Sequence, residues 1–166
     1  MEFDFWPAAA AGVFGGVMME MATVVPRVAG LEVRLDLHLM WGRMMRLRNP
    51  AAGLAGTVFH LLISAAIGLV YAAAVRYVFD VRNDLWAWGL LGGVIHWVIG
   101  GLFIGAALPL LHPDISQGVS GAPGWLVTKF GRRDFLAFFI GHLLYGLTFG
   151  VLYPYFASGQ GSQMAF

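Results

Sequence analysis

The chain contains no cysteine and few charged residues, and both shortages restrict what it can be. Without cysteine it forms neither disulfides nor thiolate metal sites, and it has no cysteine nucleophile. Charged residues make up 11% of its 166 residues, whereas hydrophobic residues make up 59%. Soluble domains carry about 25% charged residues, so this composition indicates a membrane protein.

Several sequence motifs for nucleotide binding and hydrolysis are also missing. The chain has no phosphate-binding loop, no dinucleotide fingerprint, no GxSxG elbow and no HExxH zinc motif. Its net charge is +1, and no basic groove is interleaved with aromatic residues, so we do not expect nucleic acid as a partner. The sequence leaves open whether the protein is an enzyme.

Four apolar segments are each long enough to cross a bilayer, which takes about 20 residues. They cover about residues 5–25, 51–75, 86–111 and 135–156. The first segment could be a cleaved signal peptide, but Glu2 and Asp4 stand where a signal peptide carries Lys or Arg, so we expect it to be retained. The pattern predicts an all-α integral membrane protein, with residues 1–166 forming one antiparallel four-helix bundle in the lipid bilayer.

Basic residues are distributed unevenly among the predicted loops. Eight of the ten lie on one side of the predicted membrane and two on the other: Arg27, Arg34, Arg43, Arg46, Arg48, Lys129, Arg132 and Arg133, against Arg76 and Arg82. Cytoplasmic loops carry the excess of Lys and Arg. We therefore expect loops 27–50 and 112–133 inside the cytoplasm and both termini outside it.

The two predicted inner loops differ in pattern. "LEVRLDLHL", residues 31–39, alternates apolar and polar side chains with the period of a strand, although we favour a solvated loop near anionic headgroups over a partner-binding strand. "MWGRMMRLR", which follows it, is typical of a basic amphipathic helix on the membrane surface. The third loop is rich in turn residues and should be irregular. We expect His38 and His112, which lie in these loops, to be solvated.

Each predicted span carries small residues three or four positions apart, with one ionisable side chain on the same helical face. The sets are Ala9, Gly12, Gly16 with Glu20; Gly53, Gly56, Ser64, Gly68 with His60; Gly89, Gly92 or Gly93, Gly100 with His96; and Gly146, Gly150 with His142. Small residues let membrane helices approach closely, so these faces should point inward. At 1.5 Å per residue all four ionisable groups lie within about 7 Å of the bilayer centre. We expect them to converge.

Convergence of these four side chains would create a candidate metal site. An ionised carboxylate costs about 2.5–3.5 kcal/mol at the middle of a membrane helix, so Glu20 needs a partner or a proton. One carboxylate with three imidazoles, those of His60, His96 and His142, is a suitable ligand set for zinc, iron, manganese or copper(II). Four protein ligands would make a structural zinc site, whereas three would leave an open position for catalysis.

Haem b is the alternative cofactor. His96 and His142 could serve as axial ligands from facing helices. Small neighbours, namely Gly92, Gly100 and Gly146, would leave room for the edge of the porphyrin.

Four stretches carry a resemblance to a known group of proteins. They are "GVFGGVMMEMA", "HLLISAAIGLVYA", "GGVIHWVIGGLFIGAALPLLHP" and "GHLLYGLTFGVLY". In this order they resemble uncharacterised four-span bacterial membrane proteins grouped as a domain of unknown function. The resemblance covers most of the chain and implies no activity. We expect a multi-pass protein of the bacterial inner membrane.

Three functions are compatible with these patterns. A metal- or haem-binding protein, such as a small redox subunit, explains why four polar residues share the small faces. A structural or assembly subunit of a membrane complex explains the glycine faces but not Glu20. A proton- or ion-translocating protein explains a line of ionisable groups, although four spans would need to form an oligomer, most simply a homo-oligomer, to build a gated path.

Overall fold

The computed structural model describes residues 3–79 and 83–158, and within these ranges the chain is helical without β-strands. The elements are α1 (Phe5–Val28), α2 (Leu37–Met44), α3 (Ala51–Ala73) with a π-helical extension (Ala74–Val78), α4 (Leu85–Leu111), the short α5 (Pro113–Ser116), a 3₁₀ segment (Trp125–Phe130) and α6 (Arg132–Ala157). The all-α prediction is confirmed for the described residues.

Four of these helices are long and apolar enough to cross a membrane: α1, α3 with its extension, α4 and α6. They correspond to the four predicted spans. The largest differences in their bounds are three residues. Helix α1 ends at Val28 and the α3 extension at Val78, each three residues later than predicted, and α6 begins at Arg132, three residues earlier.

The long helices pack in a chain of contacts, with α1 between α3 and α6, and α4 against the other side of α6. Where α1 and α3 touch, residue numbers rise along α1 and fall along α3. Gly12 lies against Gly68, and Gly16 lies against Ser64. The same reversal holds for α4 and α6, where Gly89 meets Gly146 and Leu85 meets Gly150.

The small-residue faces explain how the helices come this close. In α1, α3 and α6 most of the predicted small residues are buried, together with Glu20, His60 and His142, as expected. In α4 the buried stripe is Gly89, Gly93 and Gly101. His96 is only half-buried, beside this stripe instead of on it. The prediction that His96 shares the packed glycine face is therefore wrong in detail.

The segment of residues 31–36 is extended but pairs with no strand in the described part of the chain. Its alternation reflects burial: Val33, Leu35 and Leu37 are buried, whereas the residues between them are not. The carboxylate of Asp134, at the start of α6, accepts hydrogen bonds from the backbone N–H groups of Arg34 and Leu35, at 2.8 and 2.7 Å. The Asp134 side chain thus supplies the hydrogen-bond acceptor that a neighbouring strand would supply in a sheet.

Helix α2 begins earlier than the predicted surface helix and lies against α3. Asp36 caps it, because its carboxylate accepts the Leu39 N–H at 2.9 Å and also pairs with Arg27. Burial raises the pKa of Asp36, but these two partners outweigh burial and hold the pKa below its usual value.

The loop between α4 and α6 is mostly irregular, as predicted, apart from α5 and the 3₁₀ segment. The prediction that His112 is solvated is wrong, because it is 5% exposed at the end of α4. Burial is the main reason that its pKa lies below the usual value. The turn residues that mark this loop say nothing about which of its side chains fold back onto the helices.

The close contact between α4 and α6 gives a stability prediction. A methyl group added in Gly146→Ala would collide with the backbone carbonyl of Gly89, so we expect a loss of about 1–3 kcal/mol from overpacking. Gly53 in α3 has open space where a Cβ would point, so Gly53→Ala is the matched control. Thermal unfolding in detergent should show a lower midpoint for Gly146→Ala only. Equal midpoints would contradict the close contact of α4 and α6.

Candidate functional site

A buried carboxylate lies where α1, α2 and α3 meet. Glu20 is 6% exposed, and its Oε1 atom lies 2.8 Å from Nδ1 of His60 and 2.7 Å from Nε2 of His38. Close contacts bring the three helices together: Gly16 of α1 lies against the side chain of Ser64, and Gly56 of α3 lies against the backbone carbonyl of His38. One carboxylate oxygen is therefore shared by two imidazoles.

His38 is the functional residue that the sequence analysis misplaced. It lies in α2 instead of a loop, and its side chain contacts Glu20 while 28% of it stays exposed, so the prediction of a solvated loop histidine is wrong about its element and its partner. It occupies the second position of α2, directly after Leu37, and this helix directs it towards α1. Asp36 was the available signal, since aspartate is a preferred helix N-cap and stands immediately before the apolar run.

A second pair of ionisable side chains joins α4 and α6. The rings of His96 and His142 lie edge to face, with centroids 4.6 Å apart. His142 Nδ1 donates a hydrogen bond to the Phe138 carbonyl at 2.7 Å, because a carbonyl oxygen only accepts. The other ring nitrogen of His142 faces Gly100, where an added Cβ would lie 3.2 Å away. His96 Nδ1 is buried without a hydrogen-bond partner among the residues that the structure describes.

A cavity of about 760 Å³ separates α3 from α4. Apolar side chains form most of its wall, and the rings of His60, His96 and His142 lie on it. Tyr71 crosses the cavity from α3, with its ring 6.2 Å from that of His96. In addition to His96 Nδ1, the Tyr71 hydroxyl and the Trp41 indole N–H are buried on this wall and have no hydrogen-bond partner within residues 3–79 and 83–158.

The four predicted site residues thus form two pairs instead of one centre. Glu20 pairs with His60, and His96 contacts His142. The three histidines share the cavity wall, whereas Glu20 lies behind His60. Among residues 3–79 and 83–158, no group of three or more His, Asp or Glu side chains is placed to hold a metal ion. Metal ligation by these four residues has no support in this arrangement.

Comparison with known proteins adds no activity. No protein-family model matches the chain, and neither does any curated protein or solved structure. This outcome is consistent with the resemblance to an uncharacterised family. The function is therefore argued from the geometry of the cavity and of the histidine pairs.

The shared carboxylate predicts strong coupling between Glu20 and His60. Glu20→Ala removes the buried acceptor that faces His60 Nδ1 and His38 Nε2, so we expect a loss of about 1–3 kcal/mol of unfolding free energy. The double variant Glu20→Ala/His60→Ala should lose less than the sum of the two single variants, by about 0.5–3 kcal/mol. Glu32, with 73% of its side chain exposed, gives the control Glu32→Ala, which should have little effect. Additive losses would contradict the contact.

Proposed function

We propose that the protein is an integral membrane protein that binds a lipid-like molecule, a hydrocarbon chain with a hydrogen-bonding headgroup, in the cavity between α3 and α4. The observation that carries this proposal is that an otherwise apolar cavity has polar atoms in its wall that find no hydrogen-bond partner in the described part of the chain. Leaving such an atom buried and unpaired costs about 1–3 kcal/mol. A ligand that supplies partners for these atoms offsets that cost.

The size and length of the cavity support a lipid-like ligand. Its volume of about 760 Å³ lies within the range of roughly 300–1,000 Å³ that is usual for small-molecule sites. Its wall follows α3 and its extension from His60 to Val78, a rise of about 27 Å at 1.5 Å per residue. The hydrocarbon core of a bilayer is about 30 Å thick. An extended hydrocarbon chain fits this space better than a compact solute.

The headgroup would lie near the middle of the cavity. The Tyr71 hydroxyl and His96 belong to neighbouring rings on opposite walls. Tyr145, also in contact with both rings, already donates to the carbonyl of Ser64 at 2.6 Å. Of the three rings in this contact, Tyr71 and His96 are thus the ones left to bind an oxygen atom of the ligand.

Haem is a second candidate, and one observation favours it. The backbone hydrogen bond at Nδ1 of His142 leaves Nε2 as the lone-pair nitrogen, which is the arrangement usual for a metal-ligating imidazole. Ligation by His96 and His142 together does not fit, because metal–imidazole bonds of about 2 Å on opposite sides of one iron would hold the two rings further apart than 4.6 Å. His142 alone would be the axial ligand.

The proposed orientation follows from the charges. We propose that the four helices cross the membrane as an antiparallel bundle, with α2 and the loop of residues 112–131 on the cytoplasmic side. The excess of basic residues near these segments supports it. Exposed Trp6, Tyr77 and Trp86 lie at the opposite ends of the helices, as expected for aromatic residues at a membrane interface.

The first prediction of this proposal concerns the bound molecule. Protein purified in mild detergent should carry a lipid-like compound, measured by mass spectrometry of an organic extract. Tyr71→Phe and His96→Phe each remove a hydrogen-bonding group at similar ring size, so occupancy should fall about threefold to tenfold. Tyr77→Phe is the matched control, because Tyr77 is 70% exposed and lies outside the cavity wall.

The possible results of this experiment distinguish a lipid-like ligand from haem and from an empty cavity. Equal occupancy in Tyr71→Phe, His96→Phe and Tyr77→Phe, or an empty wild-type protein, would overturn binding in the cavity. A Soret band that disappears in His142→Ala would establish haem in place of a lipid-like ligand.

The second prediction concerns orientation, and the absence of cysteine makes it simple to test. A single cysteine at exposed Ser120 should react with a membrane-impermeant thiol reagent only from the cytoplasmic side. A single cysteine at exposed Asn83 should react only from the outside. The reverse pattern in intact cells and inverted vesicles would overturn the orientation.

A further inference from the structure

We infer that His38, Glu20 and His60 form a proton path from the protein surface beside α2 to the cavity. The path goes beyond ligand binding, because its geometry does not depend on what the cavity holds. It would give this protein a second activity, the exchange of protons between one membrane face and a site within the membrane.

The three side chains form a continuous line of hydrogen bonds. His38 has 28% of its side chain exposed and so contacts the surface. Its Nε2 lies 2.7 Å from Glu20 Oε1, and the same oxygen lies 2.8 Å from Nδ1 of His60. Both distances allow direct hydrogen bonds, across which protons transfer without an intervening water. His60, with 6% of its side chain exposed, is both a partner of Glu20 and part of the cavity wall.

The side chains around the Glu20 carboxylate favour a proton shared between it and two imidazoles. Within the described ranges, His38 from α2 and His60 from α3 are the titratable side chains that contact its carboxylate. Arg27, the basic residue in the last turn of α1, pairs with Asp36 instead. From α6, His142 is hydrogen-bonded to the Phe138 carbonyl and Tyr145 to that of Ser64. The buried charge of Glu20 therefore depends on the two imidazoles.

One proton moves along the path in the following steps. At the start, each imidazole carries its proton on Nε2. His38 accepts a proton from water at Nδ1 and passes its Nε2 proton to Oε1 of Glu20, which becomes a neutral carboxylic acid. Glu20 passes this proton to Nδ1 of His60, and His60 releases its Nε2 proton towards the cavity. One proton enters, one leaves, and Glu20 regains its charge. Both imidazoles then carry the proton on Nδ1. Tautomerisation of each ring, in which the Nδ1 proton is released to water and one proton is taken up at Nε2 while the ring is turned away from Glu20, restores the starting state.

Proton exchange at His60 is the direct test. In protein labelled with ¹⁵N-histidine and free of added ligand, NMR measures the rate at which the His60 imidazole exchanges its proton with water. Glu20→Gln keeps the size of the side chain but does not relay a proton, and His38→Phe removes the entrance. Each should slow exchange at His60 at least tenfold. Glu32→Gln, on an exposed carboxylate, and His112→Phe, on a buried histidine outside the line, should not change it.

The result that overturns the path is an unchanged His60 exchange rate in either Glu20→Gln or His38→Phe. Retention of the His96 and His142 resonances shows that a variant is folded. If a variant does not fold, the wild-type protein is measured over a pH series. The path requires that the exchange rate of the His60 proton increases as His38 becomes protonated, and the same spectra report both. A His60 rate that does not follow His38 overturns the path. Failure of ligand binding at His96 leaves this test unaffected.

Discussion

The structure depends on one constraint, the burial of the Glu20 carboxylate among apolar helices. A buried charge costs several kcal/mol unless charged or hydrogen-bonding partners surround it. His60 supplies one partner from the adjacent span, and His38 supplies the other from outside the four long helices. To bring His38 there, α2 packs against α3 and the preceding segment runs extended across the end of the bundle, where Asp134 binds its backbone.

The same packing leaves the cavity open. Glycine contacts hold α1 tightly against α3 and α4 tightly against α6, and between α3 and α4 side chains such as Tyr71 line a partly open cavity. His60 connects this cavity to the carboxylate, and His96 adds an unpartnered nitrogen on the opposite wall. The proposed lipid-like ligand and the proposed proton path therefore use one arrangement, in which titratable groups reach an apolar cavity.

Features encoded locally could be predicted from the sequence, and those set by tertiary packing could not. Hydropathy and helical periodicity defined the four long helices and the inward faces that bear Glu20, His60 and His142, because both signals lie within single helices. His38 was misplaced because its environment depends on where α2 docks. His96 was assigned to the packed stripe because glycines occur on two adjacent faces of α4, and only the contact with α6 distinguishes them. The acceptor role of Asp134 and the cavity between α3 and α4 have no signature in the sequence.

The most direct test of this account is whether one carboxylate contacts both imidazoles in a lipid bilayer. Solid-state NMR of protein in membranes measures the dipolar coupling between the ¹³C-labelled carboxyl carbon of Glu20 and the ¹⁵N-labelled ring nitrogens of His38 and His60. The account predicts strong coupling to Nε2 of His38 and Nδ1 of His60, whose distances from Oε1 are 2.7 and 2.8 Å. Coupling to His60 alone, with a water-exposed His38, would contradict it.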